Sequence, residues 1–276
     1  MQVKVSIVVE NTTPVPLLTG EYGFSALITV GDLKILFDTG SADALFKNSR
    51  VMGIKLEEIE NLVISHGHFD HSTALLPLLN NYGKKKIFTH SQIFSNRFFV
   101  NPRGHEKGIG VPFTKQEILD AGAEFIFTDR FSEIFPAVYL SGEIPRKNDF
   151  EDTGGNFKIK SGNEMIEDTI VDDMALIIDH PDGLIIISGC AHAGVINTIK
   201  HAQRMTARSQ VLAFIGGTHL INAGEERITN TVASLKELDV GKIVVCHCTG
   251  FHAAARLYNE LGPRVIKGET GMVFQF

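Results

Sequence analysis

Ser65-His66-Gly67-His68-Phe69-Asp70-His71 places three imidazoles and one carboxylate within seven residues. Neutral imidazoles and carboxylates are the donors that zinc, iron or manganese accept. In an extended chain, residues i and i+2 point to the same side, so His66 and His68 can converge on one ion. If the chain then turns into a helix, Asp70 and His71 stand at its entrance and can face a second ion. Gly67 is expected to let the backbone pass close to the metals. Helix capping by Asp70 explains one residue and leaves the histidines without a role. The string is therefore read as a site for one or two divalent ions, zinc first, with iron or manganese as alternatives.

Four donors do not complete two sites, so further ligands must come from elsewhere. Three positions stand where apolar strands are expected to end, the usual place for a site on an open α/β architecture. Ile185-Ile186-Ile187 runs into Ser188-Gly189-Cys190-Ala191-His192, Phe214-Ile215 into Gly216-Gly217-Thr218-His219, and Val244-Val245 into Cys246-His247-Cys248. His247 and His192 are assigned as ligands. His219 is either a ligand or a substrate contact. Cys190 is either a thiolate ligand or a small buried residue. Cys246 and Cys248 flank His247, are expected to point away from it, and are assigned to packing. His90, His105, His180, His201 and His252 fall in expected turns or on helix faces and read as solvated.

Stepwise apolar runs predict the elements that carry these residues. Strands are expected at 3–9, 24–30, 34–37, 62–64, 86–88, 124–127, 137–140, 174–178, 184–187, 211–215, 242–245, 264–266 and 272–274. Helical patterns cover 42–52, 72–82, 194–205, 225–238 and 252–261. His180-Pro181-Asp182-Gly183 supplies a hairpin turn. Two β-rich stretches, each followed by helices, suit an α/β two-sheet sandwich with helices outside, built as a single domain over 1–276. The segments 91–114 and 142–167 show little periodicity and are expected to be irregular loops covering the mouth of an active site.

Composition narrows the function classes. The formal net charge of −6 offers no basic field for nucleic acid. Lys84-Lys85-Lys86 reads as a solvated turn. No run of 18 apolar residues is present, so no membrane span is expected, and the first residues lack the pattern of a signal peptide. Three cysteines cannot all pair and read as reduced thiols. Together these features predict a cytoplasmic protein with a small-molecule partner. They leave its oligomeric state open.

The residues resemble the metallo-β-lactamase superfamily along almost the whole chain. That resemblance implies a four-layer αββα sandwich of two mixed sheets packed face to face with helices outside. His66, His68, Asp70 and His71 match its second motif, and Val245-Cys246-His247 its last, whose histidine binds the second metal. Phe37-Asp38-Thr39-Gly40 resembles its first motif, which implies that Asp38 supports the metal site from behind the ligands. Two departures stand out. Cys190 occupies the place of a bridging aspartate, and no proline-glycine-histidine motif lies between His71 and Cys190. His192 or Glu143 then becomes the substitute donor, or one site is weak. The strings around Gly142-Glu143-Ile144-Pro145-Arg146, Cys190–192, Thr218-His219 and Cys248-Thr249 resemble a narrower branch, the dihydropterin ribofuranosyl-aminobenzene phosphate synthase-like proteins.

The expected function is metal-dependent hydrolysis of a phosphoester or cyclic phosphodiester, with Asp70 orienting the attacking water and Arg146 or Lys147 holding a phosphate. One alternative is a synthase or lyase acting on a pterin- or ribose-phosphate-containing substrate. Another is a non-catalytic ligand-binding protein with a degenerate metal centre.

Overall fold

Runs of Val, Ile and Leu make the strands, because β-branched side chains fit a pleated, buried surface. The computed structural model describes residues 1–162 and 164–276. They divide into two compact units. One comprises Met1–Thr128, Lys158–Ile166 and Glu269–Phe276; the other comprises Asp129–Phe157 and Glu167–Gly268.

The first unit is built on a seven-stranded sheet. Its order is Val273–Gln275, Val3–Val9, Ser25–Val30, Leu33–Phe37, Asn61–Val63, Lys85–Thr89 and Ala123–Phe127. The first four strands pair antiparallel, and the pairing becomes parallel from Leu33–Phe37 onward. Helices Ala44–Val51 and Leu75–Tyr82 bury Leu45, Leu75, Leu78 and Leu79 against Leu36, Leu62, Ile64 and Ile87. Each such side chain contributes about 1.5–3 kcal/mol by leaving water.

The second unit has its own seven-stranded mixed sheet. Its order is Val265–Lys267, Lys242–Cys246, Val211–Gly217, Gly183–Ser188, Ala175–His180, Val138–Gly142 and Arg130–Phe135. The first four are parallel, and helices Val195–Thr206, Glu225–Glu237 and Phe251–Leu261 make the crossovers that parallel strands require. The expected hairpin forms, with Ala175 opposite Ser188 and His180 opposite Gly183. The α/β class with mixed sheets and flanking helices agrees with the expectation from sequence.

Four expectations are corrected. The segments 91–114 and 142–167 are not irregular throughout, although residue 163 lies outside the described residues. Arg97–Val100, Glu106–Gly108, Phe157–Ser161 and Glu164–Glu167 form a small sheet. Helix Lys115–Asp120, with a capping box between Thr114 and Glu117, was also missed. Lys85 is not in a solvated turn. It opens a strand, is buried, and donates from Nζ to the Leu56 carbonyl at 3.1 Å, while burial pushes its ammonium pKa down. His90, His180 and His201 are buried rather than solvated. His90 and His180 accept, through Nδ1, from the backbone N–H groups of Gln92 and Asp182, because both rings cap local turns.

Among the described residues, no helix is long and apolar enough to cross a membrane. All three cysteines are buried and stand outside any disulfide.

Candidate functional site

In the first unit, strand Asn61–Val63 ends just before Ser65, and the chain crosses His66-Gly67-His68 into a four-residue helical turn, Phe69–Ser72. His68 is the residue entering that turn, and Asp70 and His71 lie inside it. The His66 and His71 rings are fully buried, with centroids 4.3 Å apart, and the His66 and His68 rings are 4.6 Å apart. His66 Nε2 and His68 Nδ1 approach to 3.0 Å. One Asp70 carboxylate oxygen is 4.0 Å from His71 Nε2.

Asp38 organises this group. It ends strand Leu33–Phe37 in the left-handed region, with φ 56°, and is fully buried. Its carboxylate accepts from Ser65 N at 2.7 Å, Ser65 Oγ at 2.8 Å and His71 Nδ1 at 2.7 Å. With its proton given to Asp38, Ser65 Oγ accepts from His66 Nδ1 at 2.9 Å. Protons fixed on Nδ1 of His66 and His71 leave both Nε2 lone pairs available to an ion. Gly67 serves a different purpose from the one expected. A Cβ there would collide with the Ile93 carbonyl and the buried Arg97 guanidinium, so its bareness accommodates protein rather than metal.

In the second unit, three adjacent parallel strands, Gly183–Ser188, Val211–Gly217 and Lys242–Cys246, release their chains at the same end. Ala191, His219 and His247 follow those ends, all with positive φ, at 54°, 47° and 48°. Non-glycine residues held there carry strain that clusters at functional sites. Ligand-type atoms of Cys190, His192 and His219 lie within 4.8 Å of one another, and so do those of Cys190, His247 and Cys248. The His192 Nδ1 nitrogen is 2.8 Å from the Thr153 carbonyl oxygen, which fixes the proton on Nδ1 and leaves the lone pair on Nε2. Phe157 packs edge-on against both His192 and His219. Cys248 is thereby corrected: it joins the donor group instead of merely packing. Cys246 packs, its sulfur directed at the Val244 carbonyl.

Two carboxylates fix the loop between Cys190 and helix Val195–Thr206. Asp173 accepts from Ala193 N at 2.8 Å, and burial pushes its carboxyl up to about 6. Glu151 accepts from Ile196 N at 2.8 Å and Asn197 N at 2.9 Å, capping the first turn of that helix. Burial outweighs these bonds and raises its pKa. Sequence reasoning missed both residues.

Glu143 is exposed and enters none of the donor groups found among the described residues. Arg146 donates to the Thr169 carbonyl and lines a cavity of about 230 Å³ with Glu143 and Asp173. Lys147 lines a separate cavity of about 240 Å³ with Lys200, His201 and Arg204. There His201 Nε2 donates to the Ser141 carbonyl at 3.0 Å, so its Nδ1 accepts from Arg204 Nη2 at 2.8 Å. Burial, reinforced by the Arg204 and Lys147 cations, lowers the His201 pKa despite the Ser141 bond.

In each unit the donor chemistry suits a divalent ion: buried imidazoles, with a carboxylate in the first unit and thiols in the second. Residues 18–247 match the metallo-β-lactamase superfamily, and the chain belongs to it. It is 32% identical over 266 residues to the 7,8-dihydropterin-6-methyl-4-(β-D-ribofuranosyl)-aminobenzene-5′-phosphate synthase of Methanocaldococcus jannaschii, covering 93% of this chain and 90% of that protein. Among solved structures, Tm1679, a metal-dependent hydrolase of the β-lactamase superfamily, superposes with a TM-score of 0.85 at 25% identity, covering 99% of this chain and 98% of that one. Zinc-bound PqqB from Methylobacterium extorquens shares the fold, with a TM-score of 0.59 at 12% identity and 99% of each chain covered.

Proposed function

We propose that the protein is a metal-dependent hydrolase acting on a small phosphorylated molecule, a phosphoester or cyclic phosphodiester. His66, His68, Asp70, His71, His192 and His247 are its ligands, for one or two divalent ions, with zinc the first candidate. The observation that carries this reading is the Asp38 network, which presets the proton on both His66 and His71. A bound divalent ion supplies an acidified water and charge stabilisation for the developing oxyanion. Asp70 accepts a hydrogen bond from the attacking water and aims it. Asp38 holds His71, and through Ser65 it holds His66. The Thr153 carbonyl holds His192.

The phosphate preference rests on Lys147, Lys200 and Arg204, which share one cavity. Among the described residues none of the three is paired with a carboxylate. The 32% relationship favours a second reading, a synthase or lyase acting on a pterin- or ribose-phosphate-containing substrate, to be tested as a condensation giving the product in that relative's name. The deciding experiment takes metal-loaded protein through a panel of phosphodiesters and phosphoesters, and in parallel through that condensation. Turnover of the panel, abolished by His68→Ala, supports hydrolysis. Condensation with a silent panel transfers the site to the synthase reading. Protein that binds no metal and does neither refutes both and leaves a ligand-binding protein.

A further inference from the structure

The second unit holds more sulfur than the hydrolase reading uses. Cys190 Sγ, Cys248 Sγ and a His247 ring nitrogen lie within 4.8 Å of one another, and all three residues are buried. On a tetrahedral zinc ion two sulfurs stand about 3.8 Å apart, and a sulfur and a nitrogen about 3.6 Å. The three donors therefore need only a small contraction to share one ion.

The neighbouring residues shape this arrangement. Gly217 faces the pair, and a Cβ there would lie 2.6 Å from Cys248 Sγ and 3.1 Å from Cys190 Cα. His219 donates its backbone N–H to Cys248 Sγ at 3.3 Å, and the same sulfur lies 3.6 Å from the Cys190 carbonyl oxygen, to which its thiol donates. The Cys248 carbonyl accepts from Ile221 N at 3.1 Å, and Thr249 Oγ1 donates to the Cys246 carbonyl at 2.8 Å, so the His247–Thr249 turn is held from both sides. Simple packing of a small apolar residue would account for the burial of Cys248. It does not account for a bare glycine opposite the sulfur, a backbone donor aimed at it, or an imidazole and a second thiol beside it.

We infer that Cys190 and Cys248 are thiolate ligands which, with His247, bind a thiophilic ion such as zinc, cadmium or iron(II). The inference rests on the proposed role of His247 as a ligand. It adds two sulfurs that the imidazole and carboxylate set does not contain. Soft donors shift preference away from magnesium and manganese toward zinc, cadmium and iron. Each cysteine releases its proton to solvent as its sulfur–metal bond forms, with no change in oxidation state.

The test is cobalt(II) substitution of the full-length apoprotein under anaerobic, thiol-free conditions. Wild type is expected to show visible d–d bands and a near-ultraviolet sulfur-to-cobalt charge-transfer band. Cys190→Ser and Cys248→Ser should each lose roughly half of the charge-transfer intensity, one of two thiolates, and the double variant all of it. Visible bands without the charge-transfer band overturn the thiolate assignment and leave the metal-enzyme reading intact. No bound cobalt overturns both. If a serine variant does not fold, wild-type protein decides: one equivalent of zinc must slow alkylation of Cys190 and Cys248 relative to the apoprotein. Equal rates with and without zinc overturn the inference.

Discussion

Asp38 Oδ2 lies 2.7 Å from His71 Nδ1, inside a pocket where both side chains are fully buried. The same carboxylate reaches Ser65 through its backbone N–H and its hydroxyl. One residue thus sets the proton position on His71 directly and on His66 through Ser65. Asp38→Asn keeps the shape and tolerates the positive φ, but its amide cannot accept all three bonds. Metal affinity is expected to fall about 10–100-fold, as for other supporting partners of ligands. Competition with a chromophoric chelator measures it, and unchanged affinity would remove Asp38 from the network.

Gly217→Ala brings a methyl group against Cys248 Sγ and the Gly189 carbonyl. Overpacking of this kind costs about 1–3 kcal/mol. Urea denaturation of the apoprotein should show a lower midpoint with an unchanged slope.

Glu151 links stability to pH. Burial raises its folded pKa above the ordinary glutamate range, so the folded state takes up a proton before the unfolded chain does. Its contribution is fully present below the unfolded pKa and is lost as pH rises through the folded pKa. Wild type should therefore gain melting temperature relative to Glu151→Gln when pH falls from neutral toward 4.5. The variant itself should be weakened by about 1–3 kcal/mol at neutral pH, because an amide cannot accept from both Ile196 N and Asn197 N. A constant difference between the two proteins across that pH range would rule out this role.

The cavity of Lys147, Lys200 and Arg204 predicts binding of inorganic phosphate. At about ten times the dissociation constant, phosphate should stabilise wild type by about 1.4 kcal/mol. Lys147→Glu combined with Lys200→Glu should abolish the effect while leaving metal content unchanged. Equal stabilisation of wild type and variant would place the anion elsewhere.

Much of this architecture was legible in the sequence because it follows from hydrophobic periodicity. The hairpin over 174–187 carried both its unbroken apolar runs and its Pro181-Asp182 turn, and the parallel strands around Val211 and Lys242 ran visibly into polar loops. What stayed hidden depended on backbone geometry. Cys248 was assigned away from His247 by strand alternation, but the strand stops at Cys246 and His247 takes a φ of 48°. Alternation therefore no longer applies. The strands Arg97–Val100 and Glu106–Gly108 are short, and the buried side chain of the first is an arginine, so no apolar alternation marks them. Asp173 and Glu151 work through backbone N–H groups distant in sequence, and residue type alone does not reveal such partners.

Strand Val273–Gln275 pairs with Val3–Val9 and sets Gln275 opposite Lys4. During synthesis the N-terminal strand emerges early and waits for a neighbour 271 positions later. The second unit ends at Gly268 and contains everything its own sheet needs before then. The first unit therefore keeps the Val3–Val9 strand edge open until Val273–Gln275 arrives, a template for mispairing. Removal of the last few residues would prolong that exposure indefinitely, so such a truncation should reveal itself as aggregation during expression rather than as altered catalysis.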